Sequence, residues 1–318
     1  MAEASLDTAD APLRELLRLL DRDDYAFVTP TPATHARVLA RPDRAVATTI
    51  TDVFGWSLPF APHILPAPML DCLKHSDMIE PADADRWHSR LRVSTLHGRL
   101  YLHSAYPTAA EDAVFFGPDS YRFADLILDE LDRRPPREGA RLADIGTGSG
   151  VGAIVAATAC PGATMLATDI NPKALRLARI NAAAAGVAIE TIETPALDGI
   201  DAPPFDVVML NPPYIIDDAG RAYRDGGGMH GAQLSLDLLR AAMDRLAPGG
   251  RAILYTGSAI VGGEDALRDA IGQAAARAGD MLRYREIDPD VFGEELEQPQ
   301  YRDVDRIALV SATVTRPG

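Results

Sequence analysis

The 318-residue chain is 47% hydrophobic and carries 46 acidic against 31 basic residues, a formal net charge of −15. That length suits one large or two modest domains with a sizeable core, and the acidity counts against strong non-specific nucleic-acid binding, which needs clustered Lys and Arg at phosphates. Cys72 and Cys160 have no metal-ligand spacing and read as free thiols in a reducing, cytoplasmic setting, Met1–Asp10 lacks the apolar run of a signal peptide, and no apolar run reaches membrane-spanning length.

Ala11–Leu20 is amphipathic, with Leu13, Leu16, Leu17, Leu19 and Leu20 near helical spacing. Pro32–Leu39 reads as a second short helix after the cap-like Thr29–Thr31. Thr48–Phe60 mixes β-branched and aromatic residues with Gly55 and Pro59 and reads as a compact turn region. Ala67–His75 is expected to be helical, and Arg90–Ser104 to form two strands around His97-Gly98. Helices followed by a hairpin suit a winged-helix-like module, or equally a small α+β cap. His75, His88, His97 and His103 form no ligand cluster by spacing and read as surface or structural histidines, and no metal is expected.

Pro107, Gly117 and Pro118 mark a boundary near residues 105–117. It divides the chain into an N-terminal substrate-recognition or cap domain, residues 1–115, and a catalytic domain, residues 116–318. Asp119–Arg133 is a long helix pattern ended by Arg134-Pro135-Pro136-Arg137. Strands then alternate with helices. The strands are Arg141–Ile145, Thr164–Thr168, Val187–Thr191, Phe205–Leu210 and Arg251–Thr256; the helices are Val151–Cys160, Pro172–Ala185, Ala232–Leu246 and Glu264–Ala278. Met281–Ile287 and Asp305–Val314 are two closing strands, the last expected antiparallel. The fold class is therefore α/β, a seven-stranded, mostly parallel, Rossmann-like sheet with a smaller N-terminal α+β domain.

Three strand ends carry chemistry. After Asp144, Gly146, Gly148, Gly150 and Gly152 stand at alternate positions before an Ala-rich helix, the junction where an α/β sheet binds a nucleotide-like ligand. Gly148, Gly150 and Ala153 also satisfy the looser dinucleotide pattern. Asp169, 19 residues past Gly150, ends the second strand and suits a ribose diol; its competing role is the cap of the helix from Pro172. The fourth strand ends in Asn211-Pro212-Pro213-Tyr214, for which a dinucleotide dehydrogenase has no use.

From Phe116 onward these residues resemble class I S-adenosylmethionine-dependent methyltransferases carrying the Asn-Pro-Pro-Tyr motif. The chain looks most like the protein-glutamine methyltransferases that modify release factors and ribosomal proteins, and is also similar to small-domain enzymes acting on guanine in ribosomal RNA. Pro118-Asp119-Ser120 resembles the family's Pro-Glu-Thr, and Gly226-Gly227-Gly228 through Leu239 its Gly-Gly segment. Gly117 replaces the family's Arg, and Pro195-Ala196-Leu197 stands where an acid is usual, with Glu193 and Asp198 nearby. The N-terminal region does not match the family's five-helix substrate domain.

The resemblance implies S-adenosylmethionine as cofactor and no metal. Asp144 and the turn Gly146, Thr147, Gly148 and Gly150 would receive its methionine end, with Asp169, Ile170 and Asn171 at the ribose and adenine, and Asn211 beside the donor. The implied catalytic residues are Asn211, Pro212, Pro213 and Tyr214. The Asn211 side-chain oxygen and Pro212 carbonyl can accept both N–H groups of an amide or aryl amine, turning its lone pair toward the methyl. Tyr214 offers a flat face to the planar group. The expected acceptor is a protein glutamine, in a release factor or ribosomal protein. The alternatives are an exocyclic amine of rRNA guanine or DNA adenine, with Arg90, Arg92 and Arg99 along the N-terminal hairpin docking the nucleic acid, and a small-molecule N-methyltransferase.

Overall fold

The computed structural model describes residues 8–108, 110–216 and 225–318. Most of Met1–Asp10, read above for a leader, and Ala109 in the expected boundary region lie outside the described residues. The chain forms two compact units. The first is Met1–Arg122 with Gly148–Val151 and Arg176–Ala188; the second is Phe123–Thr147, Gly152–Leu175 and Ile189–Gly318.

In the first unit, α1 (Ala11–Arg22) buries all five leucines of its apolar stripe and packs on α4 (Ala67–His75). Helix α2 (Pro32–Leu39) starts at Thr31, whose hydroxyl accepts from Thr34 N. The stretch expected as a turn contains a short helix, α3 (Ile50–Phe54), closed by a reciprocal cap between Thr49 and Asp52. Asp52 also accepts from Thr48 N at 3.0 Å and pairs with Arg44 at 2.6 Å, so one buried carboxylate organises the whole segment. Two antiparallel pairs follow where one was expected: β1 (Ile79–Pro81) with β2 (Trp87–Ser89), and β3 (Leu91–Leu96) with β4 (Arg99–Ser104). His97 (φ 48°) and Gly98 (φ 71°) make the two-residue turn between β3 and β4, the left-handed geometry that matches strand twist.

The expected nucleic-acid contact by this hairpin needs correction at Arg92. Arg92 is only 5% exposed, because the even-numbered face of β3 turns inward and packs its guanidinium over Phe27. Arg90 is exposed and pairs with Glu80.

The second unit is built on an eight-stranded sheet. Its strands are β5 (Arg141–Ile145), β6 (Thr164–Asp169), β7 (Glu190–Glu193), β8 (Phe205–Leu210), β9 (Leu246–Val261), β10 (Glu264–Asp265), β11 (Met281–Asp288) and β12 (Arg306–Thr315). The order is β11-β12-β9-β8-β5-β6-β7, with β10 folded back on β9. From β9 to β7 all pairs are parallel; β12 is antiparallel to both its neighbours, as expected of the last strand. The later helices are α5 (Pro118–Arg133), α6 (Val151–Ala159), α7 (Pro172–Ala184), α8 (Gln233–Asp244) and α9 (Ala266–Ala278); the start of α5 and most of α7, from Arg176, belong to the first unit.

Alternate residues of the central strands (Ala143, Ile145, Val208, Leu210, Leu254) pack under α8 and α9 through Leu236, Leu239, Leu267 and Ile271. On the other face, Arg251 of β9 donates to Glu130 O and Arg134 O at the end of α5, and Phe123 lies against Tyr255. Both faces of the sheet are thus covered.

Candidate functional site

Strand register sets the site. Ile145 of β5 pairs with Thr168 of β6 on one side and Leu210 of β8 on the other. The next residue of each strand therefore emerges abreast: Gly146, Asp169 and Asn211. Adjacent strands lie about 4.8 Å apart, so Asp169 and Asn211 flank Gly146 across about 10 Å of edge. Strand β5 is also where the connection order reverses, since β6 and β7 lie on one side of it and β8 and β9 on the other. Open α/β sheets bind ligands in the crevice at that point.

The turn after β5 is left-handed at three alternate positions: Gly146 (φ 68°), Gly148 (φ 55°) and Gly150 (φ 87°). A side chain would strain each of them. Asp144 holds the turn from below: Oδ2 accepts from Thr147 Oγ1 at 2.6 Å and from Ala153 N, in the first turn of α6, at 2.9 Å. Thr147 N in turn donates to Thr168 O at 2.8 Å, tying the turn to β6. Asp144 is 1% exposed, and burial pushes its carboxyl up to about 7, against the two hydrogen bonds that favour the charged form. Gly152 explains how a carboxylate fits so deep. A Cβ there would stand 2.7 Å from Asp144 Oδ1 and 2.8 Å from the Phe123 ring.

The two readings of Asp169 separate cleanly. The cap of α7 is Asn171, whose Oδ1 accepts from Lys173 N at 2.9 Å. Asp169 Oδ1 accepts from Asn171 N at 2.9 Å, so it stands one step outside the helix, at the sheet edge. Ile170 between them is 52% exposed, an unusual place for a large apolar side chain and a fit for a flat ring.

Asn211 and Pro213 are half-buried, and Tyr214 is 7% exposed. The Tyr214 ring backs onto Gly257 of β9, where any Cβ would overlap it, and meets Phe292 edge-on at 5.9 Å. The glycines after this loop are required by backbone approach. A Cβ on Gly226 would overlap Gly231 O, and one on Gly231 (φ 95°) would come 2.5 Å from Tyr214 O. Gly226 N also donates to Ile215 O at 2.8 Å. Beyond the motif, Ile216 N donates to the hydroxyl of Tyr301, a wholly buried residue in the β11–β12 connection.

The structure thus places Asp144, Gly146, Thr147, Asp169, Ile170, Asn171 and Asn211 through Tyr214 along one edge of the second unit, while Gly148 and Gly150 continue the same turn within the first. Gly152, already part of the alternate-glycine pattern, supports it, as do Gly231, Gly257 and Tyr301, which were not singled out by sequence. The partners of these three lie at least 17 residues away in the chain, and no local pattern announces them.

Residues 111–281, more than half of the chain, match the family model described as methyltransferase small domain. The release factor glutamine methyltransferase of Deinococcus radiodurans is 31% identical over 234 residues, covering 70% of this chain and 81% of its own length. The tRNA1(Val) (adenine(37)-N6)-methyltransferase of Aeromonas hydrophila is 35% identical over 133 residues, 40% of this chain and 55% of that one. Among solved structures, Trm5b from Pyrococcus abyssi shares the fold at a TM-score of 0.50 and 16% identity, covering 76% of this chain and 62% of that one. The chain belongs to the methyltransferase small domain family and is an S-adenosylmethionine-dependent methyltransferase.

Proposed function

We propose that this enzyme methylates the side-chain amide nitrogen of a protein glutamine, with the acceptor held at Asn211-Pro212-Pro213-Tyr214. The observation that carries the reading is the register that sets Asn211 one strand from Gly146 and two from Asp169. The cofactor's three parts then have three takers in a row. The turn Gly146, Thr147, Gly148 and Gly150, left-handed and without Cβ at its three glycines, takes the methionine carboxylate on backbone amides. Asp144, through the turn it braces or through water, faces the ammonium. Asp169 accepts from the ribose hydroxyls, Ile170 packs on the adenine, and Asn171 fixes the start of α7 beside it.

Bound S-adenosylmethionine supplies a methyl group on a sulfonium, open to in-line displacement. The protein's work is positioning. An amide nitrogen is a poor nucleophile because its lone pair is delocalised. Asn211 Oδ1 and Pro212 O accept the two amide N–H groups, which aims the lone pair and stabilises positive charge as it develops on nitrogen. Pro212 and Pro213 stiffen the corner and remove competing backbone donors. No side chain has to remove a proton before transfer; the proton leaves the methylated amide to water afterwards.

The relatives' names support glutamine in a protein over other amides. On this reading residues 1–115 recognise the protein acceptor, a release factor or ribosomal protein, in the cytoplasm, and residues 116–318 carry the chemistry. No described helix is long and apolar enough to cross a membrane. One observation favours a second reading, a nucleic-acid exocyclic amine: the Aeromonas hydrophila relative named for a tRNA adenine. The net charge of −15 and the burial of Arg92 weigh against it.

Labelled-methyl transfer to a cell extract separates the two. Label that protease releases and nuclease spares is expected; label lost to nuclease overturns the glutamine reading. Asn211→Ala should lower transfer by about 100-fold or more, the scale seen when a transition-state hydrogen-bonding group is removed, while cofactor affinity by calorimetry moves little.

A further inference from the structure

The chain returns from the catalytic corner to α8 through a turn with two consecutive left-handed residues, Met229 (φ 55°) and His230 (φ 51°), neither of them glycine. L residues rarely adopt that conformation, and they keep it only where their surroundings over-determine it. One constraint comes from the corner itself. Gly231 (φ 95°) approaches the last residue of the Asn211–Tyr214 motif so closely that a Cβ would stand 2.5 Å from Tyr214 O. Gly231 N also donates to Gly227 O and Gly228 O, each at 3.1 Å. The turn and the motif are therefore in contact backbone to backbone, and where the turn sits decides where Tyr214 sits.

The other constraints come from the β11–β12 connection. Strand β12 is antiparallel to both β9 and β11, and β9 is parallel to β8, so β11 ends at the edge where the motif stands. From there the connection reaches His230 twice. The Tyr301 hydroxyl donates to His230 O at 3.4 Å while accepting from Ile216 N at 2.8 Å. Asp303 Oδ1 lies 3.3 Å from His230 Nε2. The Asp303 carboxyl is held below the usual carboxylate range by its own backbone N–H and then, against slight desolvation, by the His230 ring. An ionised carboxylate only accepts, so His230 Nε2 is the donor. The two side chains are 30% and 58% exposed, and pairs this open add little to global stability. The effect of this one is local: it fixes the ring of a residue whose backbone, left alone, would relax out of the left-handed region.

We propose that His230 and Asp303 are positioning residues for methyl transfer, their hydrogen bond holding the strained Met229–Gly231 turn against Tyr214 O and so holding the acceptor corner in place. They act through Gly231 and Tyr214 rather than on the reacting atoms. The proposal rests on the reading that the acceptor is held at Asn211–Tyr214, and is independent of which acceptor that is.

The test uses the full chain, labelled S-adenosylmethionine and a cell extract, with label counted in whichever fraction takes it. His230→Ala loses the ring and keeps the strain; His230→Gly loses both. Transfer at saturating cofactor should fall about 10-fold in His230→Ala, the scale of a small misplacement at a reacting centre. It should fall clearly less in His230→Gly, the reverse of the usual order of these two residues. Asp303→Ala should match His230→Ala, and the double variant should lose no more than either, because one bond is removed once. The cofactor concentration giving half the maximal rate should stay unchanged throughout. Additive losses, glycine no better than alanine, or a parallel rise in that concentration overturns the proposal. Asn211→Ala separates the two readings. Full transfer there removes the reading of the corner, whereas loss there beside a wild-type rate in His230→Ala removes the pair alone. Hydrogen exchange needs no acceptor and decides by itself. The Gly226–Gln233 amides should exchange several-fold faster in Asp303→Ala, a change at an exposed side chain, and unchanged exchange sinks the proposal.

Discussion

At the residue scale, Asp144 is where the chemistry of the turn is most exposed to test. Its carboxyl, pushed up to about 7 by burial, keeps in the fold a proton that the unfolded chain gives up near its ordinary value of about 4. Folding therefore gains in full below about pH 4 and loses that gain as pH rises through about 7, because the folded state binds more protons than the unfolded one between those values. Asp144→Asn keeps an oxygen to accept from Thr147 and Ala153 and removes the titration. Thermal unfolding without cofactor should show wild-type stability declining between about pH 4 and 7 and the variant failing to follow it. Cofactor binding should run the other way. A ligand ammonium near the turn favours the ionised carboxylate, so wild-type affinity should tighten with pH over that range and the variant's affinity stay flat and weaker. A wild-type affinity independent of pH would remove Asp144 from the cofactor's surroundings.

At the element scale, the β11–β12 connection braces the catalytic corner from a distance. Phe292, left-handed at φ 54°, meets Tyr214, and the buried Tyr301 hydroxyl accepts from Ile216 N at 2.8 Å. Tyr301→Phe removes that one acceptor and little volume, at a stability cost of about 1 kcal/mol. Because the bond fixes the exit of the Asn211–Tyr214 loop, kcat should fall several-fold while cofactor affinity holds. Equal losses in both would make Tyr301 merely structural. The same region shows what sequence reading can reach. Short apolar runs located β5, β6 and β8, and strands as buried as these leave little else for such runs to be. The fifth parallel strand was expected to stop at Thr256, yet β9 runs to Val261. Gly257 and Ser258 break the apolar pattern there, and Gly257 is glycine because the Tyr214 ring lies against it. Strand β7 begins at Glu190, three residues later than expected, because Val187 N still closes the end of α7 on Ala182 O. Asp144, Asp169 and Asn211 were legible because each ends a strand. Gly231, Gly257 and Tyr301 were not, because each answers to an atom brought near only by folding.

At the scale of the whole molecule, the chain's division by sequence and its division by packing differ in one consequential place. Gly148–Val151 and Arg176–Ala188 lie beyond residue 115 in sequence but belong to the first unit. The link is Asn181 of α7, wholly buried, with no exposed surface. Its Oδ1 accepts from Leu102 N at 2.9 Å, and its Nδ2 donates to Leu102 O at 3.0 Å and to Ser149 O at 2.8 Å. One side chain thus completes the edge of β4 and pins the glycine turn. A fragment of residues 116–318 would keep Asn181 and Ser149 and lose Leu102, leaving a buried amide without two of its three partners at about 1–3 kcal/mol, besides the apolar surface uncovered with it. Expressed alone, that fragment should melt well below the full chain, or aggregate, and bind S-adenosylmethionine more weakly because its turn is no longer held. In the full chain, Asn181→Leu should reproduce the loss of cofactor affinity in milder form, since Leu102 and Ser149 keep their positions but not their partner. A fragment as stable as the whole, binding the cofactor as tightly, would mean that the turn is shaped by Asp144 and its glycines alone, and that Asn181 serves only the hairpin.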